Sequence, residues 1–222
     1  MGTPQKGSRV AVVTGSAGVV GGAIVGRLQA EGFAVGGLDG RDERGSPGDI
    51  AIVVDLTSRR ETVAAVDRVA RELGPISVLV TAPELYDAAA FGQLSPERWR
   101  TLLSAHLGST TNACAAAVPE MLRAGRGTVV TISSWLALAG IAGEAYYAAA
   151  TGSILAFTKS FALEVATRGV RVNCIAVGPL HETTRTRVHV TADEVADTVM
   201  FLVEDGDFFV GQVLEAAAGA VG

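Results

Sequence analysis

Two groups of residues in this sequence have the types and spacing that chemistry on a bound small molecule requires. The first is a glycine cluster after an apolar run, Thr14-Gly15-Ser16-Ala17-Gly18-Val19-Val20-Gly21. Glycines at such a turn let the backbone approach a phosphate, and the helix that follows presents free amide groups to the anion. Tight packing of a strand on a helix also needs small residues, so the cluster alone is a weak indication of a ligand.

Two aspartates extend this first group. Asp39 ends the second apolar run, where a carboxylate can accept both ribose hydroxyls of an adenosine and would repel a 2′-phosphate. Asp55 and Leu56 end the third run, where they are placed to contact an adenine ring. An ordinary loop aspartate is the alternative interpretation of Asp39, and its spacing from the glycines argues against it. The pattern predicts NAD rather than NADP as the cofactor, with the remaining contacts from Gly15, Ser16, Gly18, Val20 and Gly21.

Apolar runs alternate with helical patterns along the chain, which predicts a parallel sheet with right-handed crossovers. We therefore expect one α/β domain, a three-layer α/β/α Rossmann-type doubly wound sheet over residues 9–222, behind a mobile lead-in at residues 1–8. The predicted strands are Arg9–Thr14, Phe33–Leu38, Ile50–Val54, Ile76–Thr81, Thr128–Ser133, Val170–Ala176 and Gln212–Glu215. The predicted helices are Val19–Glu31, Ser58–Leu73, Ser95–Arg123, Glu144–Arg168 and a short one opened by the capping box Thr191–Glu194.

The order of these elements and their motifs resembles the short-chain dehydrogenase/reductase family over roughly residues 8 to 219. The common glycine pattern of that family has Gly where Val19 stands, and the spacing here resembles the variant of the extended subfamily instead. Further matching segments are Ile132-Ser133-Ser134, Tyr147 thirteen residues beyond Ser134, Arg171-Val172-Asn173-Cys174-Ile175-Ala176 and Gly211-Gln212-Val213-Leu214.

The resemblance implies roles for the second group of residues. Ser134 would orient a substrate carbonyl, and Tyr147 would exchange a proton with it while a nicotinamide transfers hydride. Tyr146 is adjacent to Tyr147, but its side chain points about 100° away around the helix. We therefore prefer Tyr147. The alternative is that both tyrosines only pack the helix, and the spacing from Ser134 argues against it for one of them.

The catalytic Lys of the family is missing, because Thr151 stands four residues after Tyr147. Thr151 can offer a hydroxyl to a cofactor ribose, but it carries no charge. Without a cation, a phenol keeps a pKa near 10 instead of about 7, a difference of roughly 4 kcal/mol. A neutral phenol can donate a proton but is a poor base at neutral pH, so the sequence favours carbonyl reduction over alcohol oxidation.

Three other positions depart from the family pattern: Thr81-Ala82-Pro83-Glu84 replaces Asn-Asn-Ala-Gly, His106 replaces an Asn, and Val177-Gly178 replaces Pro-Gly. His106 is either a proton relay near Tyr147 or a helix residue bonded to a backbone carbonyl. We count Gly178 among the cofactor-binding residues. The short segment between Leu180 and the last capping box leaves no room for the helical lid that many members carry over the site.

The composition argues against several other classes of protein. Hydrophobic residues make up 49% of the chain and aromatic residues only 5%, which is typical of a sheet covered by helices on both faces. A net charge of −5 without a basic run argues against nucleic acid and anionic membranes as partners. The chain shows no leader and no membrane-spanning run, so we expect a cytoplasmic protein. Cys114 and Cys174 are expected to be reduced core thiols, and three scattered histidines predict no metal site.

Three functions remain open at this point. The first is an NAD(H)-dependent oxidoreductase that acts on a small-molecule carbonyl through Tyr147 and Ser134, and the largely intact nucleotide half favours it. The second is a non-redox cyclase, dehydratase or isomerase that uses Tyr147, His106 and Ser134 as acid and base. The third is a catalytically silent binding subunit. The resemblance also implies a homodimer or homotetramer that pairs through the two long helices.

Overall fold

The computed structural model describes residues 9–40, 48–87, 89–180 and 189–217, and its centre is a seven-stranded parallel sheet. The strand order is β3-β2-β1-β4-β5-β6-β7, which reverses direction between β1 and β4. The strands are β1 Val10–Thr14, β2 Ala34–Asp39, β3 Ile50–Val53, β4 Ile76–Thr81, β5 Gly127–Ser134, β6 Val170–Val177 and β7 Val213–Ala216. The prediction of a Rossmann-type doubly wound sheet is confirmed.

Helices connect the strands and cover both faces of the sheet. They are α1 Val19–Ala30, α2 Arg59–Leu73, α3 Pro96–Leu103, α4 Ser109–Ala124, α5 Leu136–Ala139, α6 Ala145–Val165 and α7 Ala192–Glu204. The short segment Ala166–Arg168 after α6 is a 3-10 turn. Among the described residues, no helix is both long enough and apolar enough to cross a membrane. The predicted lead-in at residues 1–8 and most of the segment expected to lack a lid, residues 181–188, lie outside the described residues.

Two apolar layers hold the helices on the sheet. On one face, α1 and α7 pack on the strands through fully buried side chains such as Ile24, Leu28 and Val199. On the other face, α2, α4 and α6 contribute Val69, Met121 and Ala162. Because the central strands are buried on both sides, they consist of nearly continuous apolar runs instead of alternating ones.

The expected helix over Ser95–Arg123 is present, but it is not uniform. Ser95 caps it, since its hydroxyl accepts a hydrogen bond from the backbone N–H of Arg98. After α3, residues Ser104–Gly108 form a π-helical turn before α4 begins. The hydroxyl of Ser109 bonds back to the carbonyls of Ala105 and His106 at this wider turn. The long helix is therefore continuous over the expected range, with one extra residue accommodated at the π-helical turn.

The other helix ends follow the capping signals of the sequence. The hydroxyl of Ser58 accepts from the backbone N–H of Glu61, which is one half of the expected capping box. The box of Thr191 and Glu194 is complete in both directions. The helix it opens, α7, runs to Glu204 and is longer than the short helix expected.

Arg171 on β6 links the sheet to the end of α7. Its guanidinium donates to the carbonyls of Leu202, Val203 and Gly206 and to the hydroxyl of Thr128. The side chain is only 16% exposed. Carbonyls in the last turn of a helix lack intrahelical partners, so this buried cation satisfies groups that would otherwise be left without hydrogen bonds.

We expect Arg171→Met to lower the free energy of unfolding by roughly 2–3 kcal/mol, because the buried carbonyls lose charged donors. The matched control is Arg68→Met on α2, which removes an exposed pair with Glu72 at 2.7 Å. That change should cost no more than about 0.5 kcal/mol. Urea unfolding of both variants measures the difference. Equal losses would show that the Arg171 contacts contribute little.

Candidate active site

The candidate site lies at the carboxyl ends of the strands, where the strand order reverses between β1 and β4. Ligands of doubly wound sheets bind in this position. A cleft of about 380 Å³ opens there. Four expected cofactor-binding residues border it, namely Gly15, Asp39, Asp55 and Leu56, and the other lining residues are Thr14, Gly40, Thr57, Pro83, Glu84, Leu85, Ala105 and Ser109.

In the loop between β1 and α1, different neighbouring atoms exclude a side chain at each glycine. At Gly15, where φ is 72°, an added Cβ would lie 1.9 Å from the carbonyl oxygen of Ala82. At Gly21 it would lie 2.0 Å from the carbonyl oxygen of Gly15. Backbone packing alone therefore accounts for these two. At Gly18 an added Cβ would instead meet the carboxylate of Glu84 at 1.9 Å.

The two aspartates have different surroundings. Asp39 is buried, and its carboxylate accepts from the backbone N–H of Ala17 at 3.1 Å, so it braces the glycine loop. Asp55 is exposed and accepts from both the backbone N–H and the hydroxyl of Thr57, at 2.9 and 2.7 Å. These bonds lower the pKa of Asp55. The two aspartates of the cleft therefore differ, one carboxyl group being buried and the other exposed.

Glu84, just after β4, contacts the start of α1. Its Oε1 accepts from the backbone N–H of Val20 at 3.1 Å. Val20 lies in the first turn of α1, where amide groups have no intrahelical partner and attract anions. The hydroxyl of Ser16 in the same loop is buried without a hydrogen-bond partner among the described residues. In the sequence Glu84 stands out only as a departure from the family loop, and no local pattern indicates its contact with Val20.

Ser134 and Tyr147 come together as expected from their spacing. Ser134 is buried at the end of β5, and its hydroxyl accepts from the backbone N–H of Leu136 at 3.2 Å. Burial raises the pKa of Tyr147 above its usual value near 10, while a hydrogen bond with Ser134 lowers it. The negative charges of Glu144 and Glu84 raise it further. The net shift is upward, so the Tyr147 phenol is neutral at physiological pH.

Tyr146 belongs to a different cluster. Its ring stacks on Phe91 at 6.0 Å and packs against Trp99 at 5.6 Å between ring centroids. Tyr147 instead packs edge-on against His106 and Tyr86, at 5.5 and 5.0 Å. The two adjacent tyrosines thus face different surroundings. Of the two, Tyr147 is the one whose phenol interacts with Ser134.

Tyr86 and Glu144 form a second polar contact beside Tyr147 that sequence analysis did not identify. The Tyr86 hydroxyl donates to Oε1 of Glu144, which raises the pKa of Tyr86 to about 12. The other carboxylate oxygen of Glu144 is buried and has no partner among the described residues. Together with Glu84, this places two carboxylates near Tyr147, where the family pattern has a cation.

Thr151 does not reach toward the cleft. Its side chain is 1% exposed, and its hydroxyl donates to the carbonyl oxygen of Tyr147 at 2.9 Å within α6. The hydroxyl of Ser133 donates to the carbonyl oxygen of Thr151 and ties α6 to β5. The expected contact of Thr151 with a cofactor ribose has no support in this arrangement, because the hydroxyl is already bonded within its own helix.

His106 lies in the π-helical turn and is 1% exposed. Its Nε2 is 2.7 Å from the carbonyl oxygen of Leu85, and a carbonyl only accepts, so Nε2 carries the proton. Its Nδ1 is buried without a partner among the described residues. Burial lowers the pKa of His106. This geometry favours the interpretation of His106 as a neutral ring bonded to a backbone carbonyl over that of a proton relay.

Gly178 lies after β6, and its N–H donates to the carbonyl oxygen of Ala216 at 2.9 Å. An added Cβ there would lie 2.8 Å from the Cβ of Ala217, so close packing against β7 explains the glycine. Within the described residues, no group of His, Cys, Asp and Glu side chains is arranged to hold a metal ion.

Comparison with known proteins agrees with this fold. The family model for short chain dehydrogenases matches residues 9–194, so the chain belongs to the short-chain dehydrogenase/reductase family of oxidoreductases. An acetoacetyl-CoA reductase of Shinella zoogloeoides is 31% identical over 96% of this chain and 98% of its own length. A 3-oxoacyl-[acyl-carrier-protein] reductase of Thermotoga maritima is 28% identical over the same shares. The crystal structure of an NAD⁺-bound xylitol dehydrogenase superimposes with a TM-score of 0.87 at 24% identity, over 97% of this chain and all of that one.

The buried His106 predicts a specific dependence of stability on pH. Its pKa in the folded chain is lower than the ordinary value of 6.5, so the unfolded chain binds a proton at higher pH than the folded chain does. Stability is therefore lost as the pH falls below 6.5 toward the folded-state pKa. Replacing His106 with Asn removes this titration. We expect the loss of unfolding free energy between about pH 7.5 and about pH 5.5 to be smaller in His106→Asn than in the wild type.

Urea unfolding at both pH values tests this expectation. The unmodified chain is the reference, and the comparison uses the difference between the two pH values and not the absolute stability, which the substitution itself can change. If both proteins lose the same amount of stability on acidification, His106 does not titrate as its burial implies.

Proposed function

We propose that this chain is an NAD(H)-dependent oxidoreductase that reduces the carbonyl group of a small molecule, with Tyr147 as the proton donor. The observation that carries the proposal is the position of Tyr147 beside Ser134, with its ring packed against His106 and Tyr86. The names of the two relatives above describe reductases, of acetoacetyl-CoA and of a 3-oxoacyl group on a carrier protein. Oxoacyl thioesters are therefore the first substrates to test.

The residues around the cleft fit most of a dinucleotide cofactor. The cleft has the volume of a small-molecule site, and Asp39 and Asp55 stand where an adenosine would be held. The diphosphate would lie over Gly18 and the Val20 amide, which Glu84 now contacts. Because Glu84 is exposed, a rotation of its side chain would clear this position for the cofactor. When bound, the cofactor supplies the hydride.

The protein residues carry the proton half of the reaction. The hydroxyls of Ser134 and Tyr147 can both donate to the carbonyl oxygen of the substrate and hold its orientation. As hydride adds to the carbon, the oxygen becomes an alkoxide and takes the proton of Tyr147, which gives the alcohol and a tyrosinate. The carboxylates of Glu84 and Glu144 disfavour that tyrosinate. The phenol must then regain a proton from solvent before the next turnover.

The first prediction of this proposal concerns the two adjacent tyrosines. We expect Tyr147→Phe to lower kcat for carbonyl reduction by roughly 10²-fold or more, because the proton donor is lost. Tyr146→Phe is the matched control and should leave kcat nearly unchanged, since Tyr146 packs against Phe91 and Trp99. NADH oxidation with an oxoacyl thioester panel measures both.

A cation beside Tyr147 provides a further arm of the same experiment. Thr151→Lys should lower the pKa of Tyr147 and raise activity by up to about tenfold for each unit of pKa. The double variant Thr151→Lys with Tyr147→Phe should lose this gain. If Thr151→Lys is folded, binds NADH and still shows no reductase activity, the proposal of Tyr147-assisted reduction is wrong.

The second prediction concerns the choice of cofactor. We expect NADH to bind at least about tenfold more tightly than NADPH, because the carboxylate of Asp39 would repel a 2′-phosphate. Asp39→Asn removes the charge at nearly constant size and should reduce this preference. Fluorescence titration of both cofactors against both proteins gives the dissociation constants. Equal affinities in the unmodified protein would show that Asp39 does not face the ribose.

A non-redox acid–base enzyme is the second candidate. The observation that favours it is the pair of carboxylates near Tyr147, which replaces the positive surroundings expected for hydride chemistry. The same titration separates the two candidates, because a non-redox enzyme of this kind needs no nicotinamide. Failure to bind either NADH or NADPH would favour this second candidate.

A further inference from the structure

We propose that Glu84 is an internal competitor for the diphosphate of the nucleotide. Its carboxylate takes the position at the start of α1, and it must turn away before a nucleotide can bind. Glu84 therefore sets the affinity of the site for its nucleotide. This inference rests on the proposed function for the identity of the nucleotide, but not on whether hydride transfer follows.

The start of α1 attracts an anion. Helix α1 has no acidic residue in its first turn, and its N-cap residue, Gly18, has no side chain to accept a hydrogen bond. Its free amides and its dipole therefore need an anion from elsewhere. Glu84 provides one, since its Oε1 is 3.1 Å from the nitrogen of Val20. Glu84, which follows β4, therefore takes the place of an N-cap side chain for α1.

The carboxylate of Glu84 also occupies the space beside Gly18. A Cβ built on Gly18 would lie 1.9 Å from both Cδ and Oε2 of Glu84, so the carboxylate rests directly against this glycine. A missing side chain at such a position is what allows a phosphate to approach the loop. The phosphate and the carboxylate compete for one volume, and both are negative, so they cannot occupy it together.

The backbone before Glu84 and the side chain of Glu84 differ in their freedom to move. The backbone before Glu84 is fixed, because the N–H of Ala82 donates to the carbonyl oxygen of Thr14 at 3.1 Å and the ring of Pro83 fixes its own φ. Glu84 itself is exposed and borders the cleft. Rotation of the Glu84 side chain is therefore the change that opens the site, and no movement of α1 or β4 is required.

The competition also reaches the reacting phenol. The charge of Glu84 acts on Tyr147 and favours its neutral form. A nucleotide that displaces Glu84 moves this charge, so occupation of the diphosphate position changes the electrostatics at the proton donor. The diphosphate position and the Tyr147 phenol are therefore coupled electrostatically through the side chain of Glu84.

Calorimetric titration with ADP tests the inference, because ADP carries the adenosine and the diphosphate but no nicotinamide. We expect Glu84→Ala to bind ADP roughly tenfold or more tightly than the wild type, since no side chain has to be displaced. Glu84→Gln keeps the size and loses the charge, so it should lie between the two. Adenosine, which has no phosphate, should bind all three proteins equally. The matched control is Glu97→Gln on α3, which removes the charge of another glutamate whose side chain is 76% exposed.

Thermal melting without nucleotide provides the second readout. Glu84→Ala should melt at a lower temperature than the wild type, because the start of α1 loses its anion, although the same variant binds ADP more tightly. A Glu84 that is only a helix cap would give the lower melting temperature with unchanged ADP affinity, and that result overturns the inference. So does the absence of ADP binding in all variants.

Activity separates this inference from the proposed function. If Glu84→Ala binds ADP more tightly but no variant oxidises NADH with any carbonyl tested, the competition is supported and the redox proposal fails. If the wild type reduces a carbonyl and Glu84→Ala binds ADP no more tightly, the redox proposal stands and the inference about Glu84 is wrong.

Discussion

The amide groups that open α1 are the constraint on which the rest of the site depends. They point to the carboxyl end of the sheet and need an anionic or polar partner. The backbone around them is packed so closely that Gly15 and Gly21 cannot carry a side chain, and Asp39 holds the loop from the other side. Because this backbone is closely packed, we infer that what changes at the start of α1 is the anion that contacts its amide groups.

The electrostatics around Tyr147 also depart from the family pattern. A cation beside Tyr147 would stabilise a tyrosinate, whereas Glu84 and Glu144 disfavour it. The phenol therefore stays protonated at neutral pH, while the same charges disfavour the tyrosinate that forms when it gives the proton away. In the proposed reaction, the charges of Glu84 and Glu144 therefore act on the proton donor in addition to the residues that would touch the substrate.

The sequence predicted the fold well, because each strand and most helix ends have local signals such as Ser95 and the Thr191 box. It also separated Tyr147 from Tyr146, since the angle between successive helix positions is fixed. The π-helical turn around His106 was missed, because an extra residue leaves the apolar pattern on both sides nearly intact. The contact of Glu84 with Val20 joins positions 64 apart in the sequence, so no local pattern carries it.

The order of the strands has a consequence for how this chain reaches its native state. Of the described strands, β1 is synthesised first, yet it lies inside the sheet and pairs with β2 on one edge and β4 on the other, Val10 opposite Ile76. Until β4 exists, an apolar edge of β1 stays open to other chains. Folding must wait for such distant pairings, which slows it and exposes incomplete chains to aggregation. Truncation before β4 should thus leave no independently stable unit.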